Sequence, residues 1–236
     1  KFTCIINYTL VYALVFLDIT TIQLKMLWLI TLLNLLVFSL CGNINEKNKK
    51  LILDMHNDRR ANVKPPATNM RKLIWNETLE EAAQKHASTC NNKHSSGDWG
   101  ENIYWIAPYL DYKDLVVSWS DGEDINYDYH TRTCHKHQCT HHTQIVWAKT
   151  NSFGCGVAKC QRTKAIPMDF WLVICRYYPR GNWRGEFPYK CGDTCASCPD
   201  SCDSKLCPTV GILDNNDEKK MKCPKTSRYL NRLTDA

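Results

Sequence analysis

The rhythm of apolar and polar positions changes several times along the chain, and each change predicts an element. Met26 to Leu40 is an almost unbroken apolar run. Glu46 to Asn62 is charged, but Leu51, Ile52 and Met55 recur at helical spacing, and Pro65–Pro66 stop any continuation. After Trp75, the residues Leu79, Ala82, Ala83, His86, Ala87 and Cys90 fall on one helical face, whose alanines allow close approach to a sheet. Ile103 to Ile106 reads as a short strand or buried edge. Asp111 to Trp119 reads as a helix with Leu115, Val116 and Trp119 inward. Ile145-Val146-Trp147 requires burial, and Phe153–Cys160 and Asp169–Tyr178 alternate or run apolar as two paired strands. Mixed helices and strands over this length predict an α+β domain. From residue 208 to 236 the chain is polar and basic, with too little apolar content for a core of its own.

Composition changes this picture in two places. The apolar run at 26–40 follows Lys25 and precedes the small residues Ser39 and Cys41, the layout of a secretory leader. It is short for a span of roughly 20 residues, although the apolar stretch at 10–17 keeps a longer anchored leader open. The sequence starts at Lys1, so Met26 is the expected start of translation. The chain holds 14 cysteines, which indicates disulfides in an oxidising compartment or bound metal, and the leader favours disulfides. Losing Cys4 and Cys41 with the leader leaves an even number. The net charge of +6 is mild, and its Lys and Arg are spread along the chain, so no nucleic-acid partner is expected.

Candidate chemistry gathers around histidines. His141 lies just before the Ile145–Trp147 segment, where a packed wall meets a polar opening, a setting for a metal ligand or a proton carrier. His130, His135, His137, His141 and His142 are dense enough for a metal site, but the first three have no converging spacing. A solvated loop between Cys134 and Cys139 is the simpler reading. Glu101, before an apolar run, is either a turn cap or a charge aimed into a cleft. His56 and Arg60 are expected to tie the first helix to neighbouring loops. Asn76-Glu77-Thr78 is a glycosylation sequon, while Asn76 alone is also a helix cap. Cys195 and Cys198 form a CxxC pair, a zinc half-site or part of a disulfide set.

Four motifs are spread over residues 47 to 190: His56-Asn57 with Arg60; Cys90 with His94-Ser95 and Gly100-Glu101-Asn102-Ile103; His141 to Trp147 with Gly154-Cys155-Gly156; and Leu172 to Trp183. Together they resemble the CAP superfamily: cysteine-rich secretory proteins, antigen-5 venom allergens and plant pathogenesis-related class-one proteins. Thr140 departs from the family, which has a charged residue or Gly there. The resemblance is to a venom allergen-like member with a short cysteine-rich hinge. It implies a three-layer α-β-α sandwich with a small disulfide-rich C-terminal extension. The implied division is a leader at 1–42, the CAP domain at 43–190, a hinge at 191–207 and a tail at 208–236.

The same resemblance implies a tetrad, His94, Glu101, Glu123 and His141, in one cleft. The family glutamate stands three residues after Trp119, where this chain has Gly122. A one-residue insertion before Glu123 is therefore expected, and it leaves open a Glu123 turned away from the cleft. His94 and His141 would hold a divalent cation weakly, with the carboxylates behind them, and the protein would not require it. Two nitrogens suit Zn²⁺ or Cu²⁺ better than Mg²⁺. Tyr127 and Tyr129 are the candidates for a lipid-binding loop. Implied disulfides are Cys90 with Cys160, Cys134 with Cys139, Cys155 with Cys175, Cys195 with Cys202, Cys198 with Cys207, and Cys191 with Cys223. The implied function is that of a secreted, non-catalytic protein that binds sterols or fatty acids and interacts with extracellular or host factors. Apolar helix faces would bound the lipid channel, and no membrane span would remain once the leader is removed. A metal-dependent hydrolase using the tetrad is the alternative. Ion-channel modulation comes third, because only Cys223 follows Cys207 in this sequence.

Overall fold

The computed structural model describes residues 21–40, 44–135, 138–209 and Cys223. Cys4, Cys41, His137 and most of the basic tail lie outside the described residues. The chain divides into two compact units, Lys1–Asn43 and Ile44–Ala236. In the first, helix α1 spans Thr21–Leu40. No helix among the described residues is long and apolar enough to cross a membrane.

The second unit is a three-layer α-β-α sandwich. Its elements in order are α2 (Glu46–Ala61), β1 (Ile74–Trp75), α3 (Glu77–Ala87), β2 (Gly100–Ile106), α4 (Tyr112–Ser120), β3 (Tyr127–Asp128), β4 (Thr133–Cys134), α5 (Thr140–Ile145), β5 (Ser152–Cys160) and β6 (Phe170–Tyr178). The main sheet runs β1-β5-β6-β2, with β1 parallel to β5 and the other pairs antiparallel. Asn45, Asn76 and Asp111 cap α2, α3 and α4 by accepting a backbone N–H in the first turn. Both faces of the sheet are covered, which is why β5 and β6 read as near-continuous apolar runs.

Side chains of alternate parity go to opposite layers. Leu172 and Ile174 join Ala83 and Ala87 of α3 in one cluster, while Phe153, Cys155, Val173 and Tyr177 join Ile52, Leu115, Trp119 and Ile145 in the other. The Gly-Cys-Gly triplet follows from this. A Cβ on Gly156 would stand 2.2 Å from the Gln84 backbone, and one on Gly154 would stand 2.3 Å from the Glu80 nitrogen. Glycine is therefore required where α3 lies directly on β5.

Two buried polar side chains hold the opposite layer. His56 Nδ1–H donates to Ile52 O at 2.8 Å, and Nε2 accepts from the Tyr177 hydroxyl at 2.9 Å, while the ring stacks on Phe153 at 4.4 Å. Thus His56 ties α2 to strand β6, not to a loop as expected. Arg60, 1% exposed, donates to the carbonyls of Arg71, Ile145, Trp147, Ala148 and Thr150. It fixes the segment that leaves α5 and so fixes the base of the His141 helix.

Six disulfides join Cys90–Cys160, Cys134–Cys139, Cys155–Cys175, Cys191–Cys223, Cys195–Cys202 and Cys198–Cys207. These are the pairs the resemblance implies, and bridges of this kind typically stabilise by ~2–4 kcal/mol each. The sulfurs of Cys195, Cys198 and Cys207 lie within 4.8 Å of one another, but each is taken up in a disulfide. That excludes the zinc half-site reading of Cys195 and Cys198 for the oxidised chain.

Candidate functional site

Glu101 occupies the second position of β2, within the strand and not in a capping turn. Its side chain is 4% exposed. Five donors converge on it. Oε1 accepts from the Ser95 N–H at 3.0 Å and from His94 Nδ1 at 3.1 Å. Oε2 accepts from Ser95 Oγ at 2.7 Å, His86 Nδ1 at 3.1 Å and Arg176 Nε at 3.5 Å. Burial alone raises the carboxyl pKa, but the Ser95 bonds and the His86 imidazole outweigh it and hold the group below its usual value. Cross-strand pairing of Glu101 with Arg176 brings the guanidinium to the cluster, where it also lies 4.2 Å over the Trp99 ring.

Glu123 lies in the turn after α4. Its Oε1 meets His141 Nδ1 at 2.6 Å and its Oε2 accepts the His142 N–H at 2.9 Å. A Cβ at Gly122 would meet open space, and from this turn Glu123 faces the site and reaches His141. The His141 ring stacks on Trp119 at 6.1 Å and 21°. Tyr127 of β3 tilts over His142 at 6.3 Å. His142 Nδ1 is buried without a hydrogen-bond partner, and burial pushes this imidazole down to about 4.

The tetrad is thus two carboxylate–imidazole pairs. They are joined through β2, where Asn102, next to Glu101, donates to the His141 carbonyl at 3.2 Å and Trp119 donates to Ile103 O at 3.2 Å. In each pair the carboxylate engages Nδ1, which leaves Nε2 of His94 and His141 without a protein partner among the described residues. A carboxylate behind the imidazole with the distal nitrogen free is the donor set a divalent ion takes. His94 is 60% exposed and His141 22% exposed at the side chain, so both are open to solvent. No group of three His, Cys, Asp or Glu donors closes around them among the described residues. Such a site would hold an ion loosely. His86, Ser95 and Arg176 belong to the Glu101 cluster, and no sequence motif flagged His86 or Arg176 as part of it.

The two tyrosines separate. Tyr127 faces His142. Tyr129 is buried, stacks on Tyr189 at 4.8 Å and on Phe187 at 4.9 Å, donates its hydroxyl hydrogen to Tyr189 O at 2.7 Å and accepts from the Cys191 N–H at 3.1 Å. Its ring lines a cavity of about 550 Å³ with Trp147, Phe187, Pro188, Tyr189 and the Cys191–Cys223 bridge. Loops bound this cavity.

A disulfide-braced three-layer sandwich that carries two carboxylate–imidazole pairs defines the class. Residues 53–177 match the model of the cysteine-rich secretory protein family, CAP, and the chain belongs to that family. It is 37% identical over 166 residues to cysteine-rich secretory protein 3 of Homo sapiens, covering 66% of each chain. Peptidase inhibitor 15 of Gallus gallus is 35% identical over 197 residues, covering 73% of this chain and 74% of that one. With peptidase inhibitor 16 of Mus musculus the identity is 34% over 188 residues, covering 77% of this chain but only 37% of the relative. Among solved structures, NaASP2 with Zn²⁺ superposes with a TM-score of 0.59 at 26% identity, over 71% of this chain and 99% of that one. Schistosoma mansoni venom allergen-like protein 4 gives 0.52 at 27% identity, over 63% and 96%.

Proposed function

We infer that this chain is an extracellular binding protein without catalysis of its own, which takes up a sterol or fatty acid and meets extracellular or host factors. The carrying observation is the cavity of about 550 Å³ walled by Tyr129, Trp147, Phe187 and Tyr189. Its size lies within the ~300–1,000 Å³ usual for small-ligand pockets, and its lining combines these rings with polar groups from Asn69, Lys149, Glu186 and Lys190. The twelve paired cysteines and the leader-like run before residue 42 support export. The side-chain chemistry supports the absence of catalysis. Ser95 Oγ donates to Glu101 and accepts from Arg176 Nη2 at 3.1 Å, so no imidazole is placed to activate it.

A divalent cation such as Zn²⁺ at His94 and His141 is the second part of the reading. The free Nε2 atoms favour it, as does the zinc in the NaASP2 structure. Such an ion would supply positive charge and open coordination positions for an oxygen ligand. Glu101 and Glu123 would orient the two rings.

Uptake of labelled cholesterol and palmitate by the secreted protein tests the lipid reading, with mass spectrometry of co-purified lipids beside it. Micromolar uptake that is lost in the cavity-filling Ala148→Phe variant is expected. A wild-type protein that takes up neither lipid ends the reading.

A further inference from the structure

The segment from Gly185 to Lys190 lines the cavity, and the residues that lead into it, Arg180 to Arg184, are basic and aromatic. Arg180 stacks on Trp183 at 4.7 Å, and Trp183 is 50% exposed. Arg132, from the β3–β4 turn, lies 4.7 Å over the Phe187 ring and donates to the Gly185 carbonyl. Lys149 and Lys190 line the cavity, and Arg184, next to Gly185 in the chain, is exposed. The stretches that carry these five cations, 128–132, 149 and 180–190, hold two carboxylates. Glu186 is paired with Lys149 at 3.2 Å, and Asp128 Oδ1 accepts the N–H groups of His130 and Thr131. This surface is therefore a net positive field beside exposed rings, although the chain as a whole is only mildly basic at +6.

We propose that this surface, centred on Arg132, Arg180 and Arg184, is a docking site for a sulfated polysaccharide of the extracellular matrix or cell surface. Three features select that partner. The guanidinium fork matches the paired oxygens of a sulfate ester, and stacking on Trp183 and Phe187 holds two of the three forks ready. Exposed aromatic faces next to cations suit the apolar faces of sugar rings that carry anionic substituents. The partner must also be present outside the cell, in keeping with the extracellular placement proposed above, whereas anionic lipids concentrate on the cytoplasmic leaflet. The site shares no side chain with the His94 and His141 pairs, although Asn182 between Arg180 and Trp183 donates to Thr140 O at 2.8 Å, and it stands whether or not the cavity holds a lipid.

The test uses the full secreted chain on immobilised heparin, with desulfated heparin and phosphatidylserine vesicles as further arms. Expected are salt-sensitive binding to heparin, loss of binding on desulfation, and affinity roughly tenfold or more weaker in Arg132→Ala/Arg180→Ala/Arg184→Ala, since surface cations contribute modestly one by one. A triple variant with the same charge change elsewhere, Lys85→Ala/Lys113→Ala/Lys164→Ala, removes only exposed side chains and should bind within about twofold of wild type. Arg184→Glu touches no partner among the described residues, so it should weaken binding severalfold with the fold intact. The proposal is overturned by absence of heparin binding, by equal loss in the two triple variants, by unchanged binding of Arg184→Glu, or by binding to the vesicles alone.

Discussion

His141 Nδ1 lies 2.6 Å from Glu123 Oε1, although Glu123 stands one residue later than the family spacing places it. Because Oε2 also takes the His142 N–H, the carboxylate fixes both the ring and the first turn of the helix that carries it. Replacing Glu123 with Gln keeps the shape and removes the charge behind the imidazole. Zinc affinity measured by calorimetry should fall by about 10–100-fold, with an unchanged near-ultraviolet circular dichroism spectrum. Equal affinity in variant and wild type would show that the ion, if bound, is held elsewhere.

The His56 imidazole is neutral and fully buried, and burial pushes it down to about 4, helped slightly by Arg60. In the unfolded chain it titrates near 6.5. Between these values the unfolded state binds the extra proton and the folded state does not, so stability rises with pH across about 4 to 6.5. Lowering the pH from 7 to 4.5 should therefore cost up to about 3 kcal/mol at this residue. His142 shifts in the same direction and adds to the effect. Denaturant unfolding of His56→Phe should show a lower stability at pH 7 and a shallower loss toward acid. An unaltered acid slope would contradict this.

Gly156→Ala should be among the most damaging single-methyl changes in the chain. The new Cβ would meet the α3 backbone at 2.2 Å, and no flexible side chain there can yield. A loss of about 3 kcal/mol or more is expected, seen as a fall in Tm. A loss under 1 kcal/mol would mean that α3 is free to lift from the sheet.

Asn76 Oδ1 caps α3 by accepting the Leu79 N–H at 3.0 Å, and the side-chain nitrogen remains for a glycan. Two variants separate the roles. Thr78→Ala should remove the glycan, seen as a mass loss equal to that from enzymatic deglycosylation, with little change in Tm. Asn76→Ala should remove the glycan and cost about 1 kcal/mol for the lost cap. Identical masses before and after glycosidase treatment of the wild-type secreted protein would refute occupancy.

The helices and paired strands are legible in the sequence because they rest on local rhythm, whereas their stacking in three layers follows only from the family resemblance. The alanine face of α3, the inward Leu115, Val116 and Trp119, and the β5–β6 pair each follow from spacing alone. His86 was read as one more member of the α3 face. Only its long-range neighbour, Glu101 on β2, turns that imidazole into part of the polar cluster, and periodicity carries no trace of such a meeting. Arg176 was hidden for the same reason, since its place depends on cross-strand register. The cavity was illegible because loops from 129–130, 147–149 and 185–191 build it, and loops have no period. Tyr129 was flagged for its ring, but nothing local shows that Tyr189 and Cys191 would hold its hydroxyl.

Arg60 gives the chain around His141 an unusual kind of anchorage. One cation from α2 satisfies carbonyls at 145, 147, 148 and 150, where α5 ends and β5 has not yet begun. Breathing of that stretch must leave a buried charge bare, so it cannot open piecemeal. The bonded amide protons of Ala148 and Thr150 should therefore exchange slowly with solvent, which ties the poise of His141 to the lifetime of the surrounding domain.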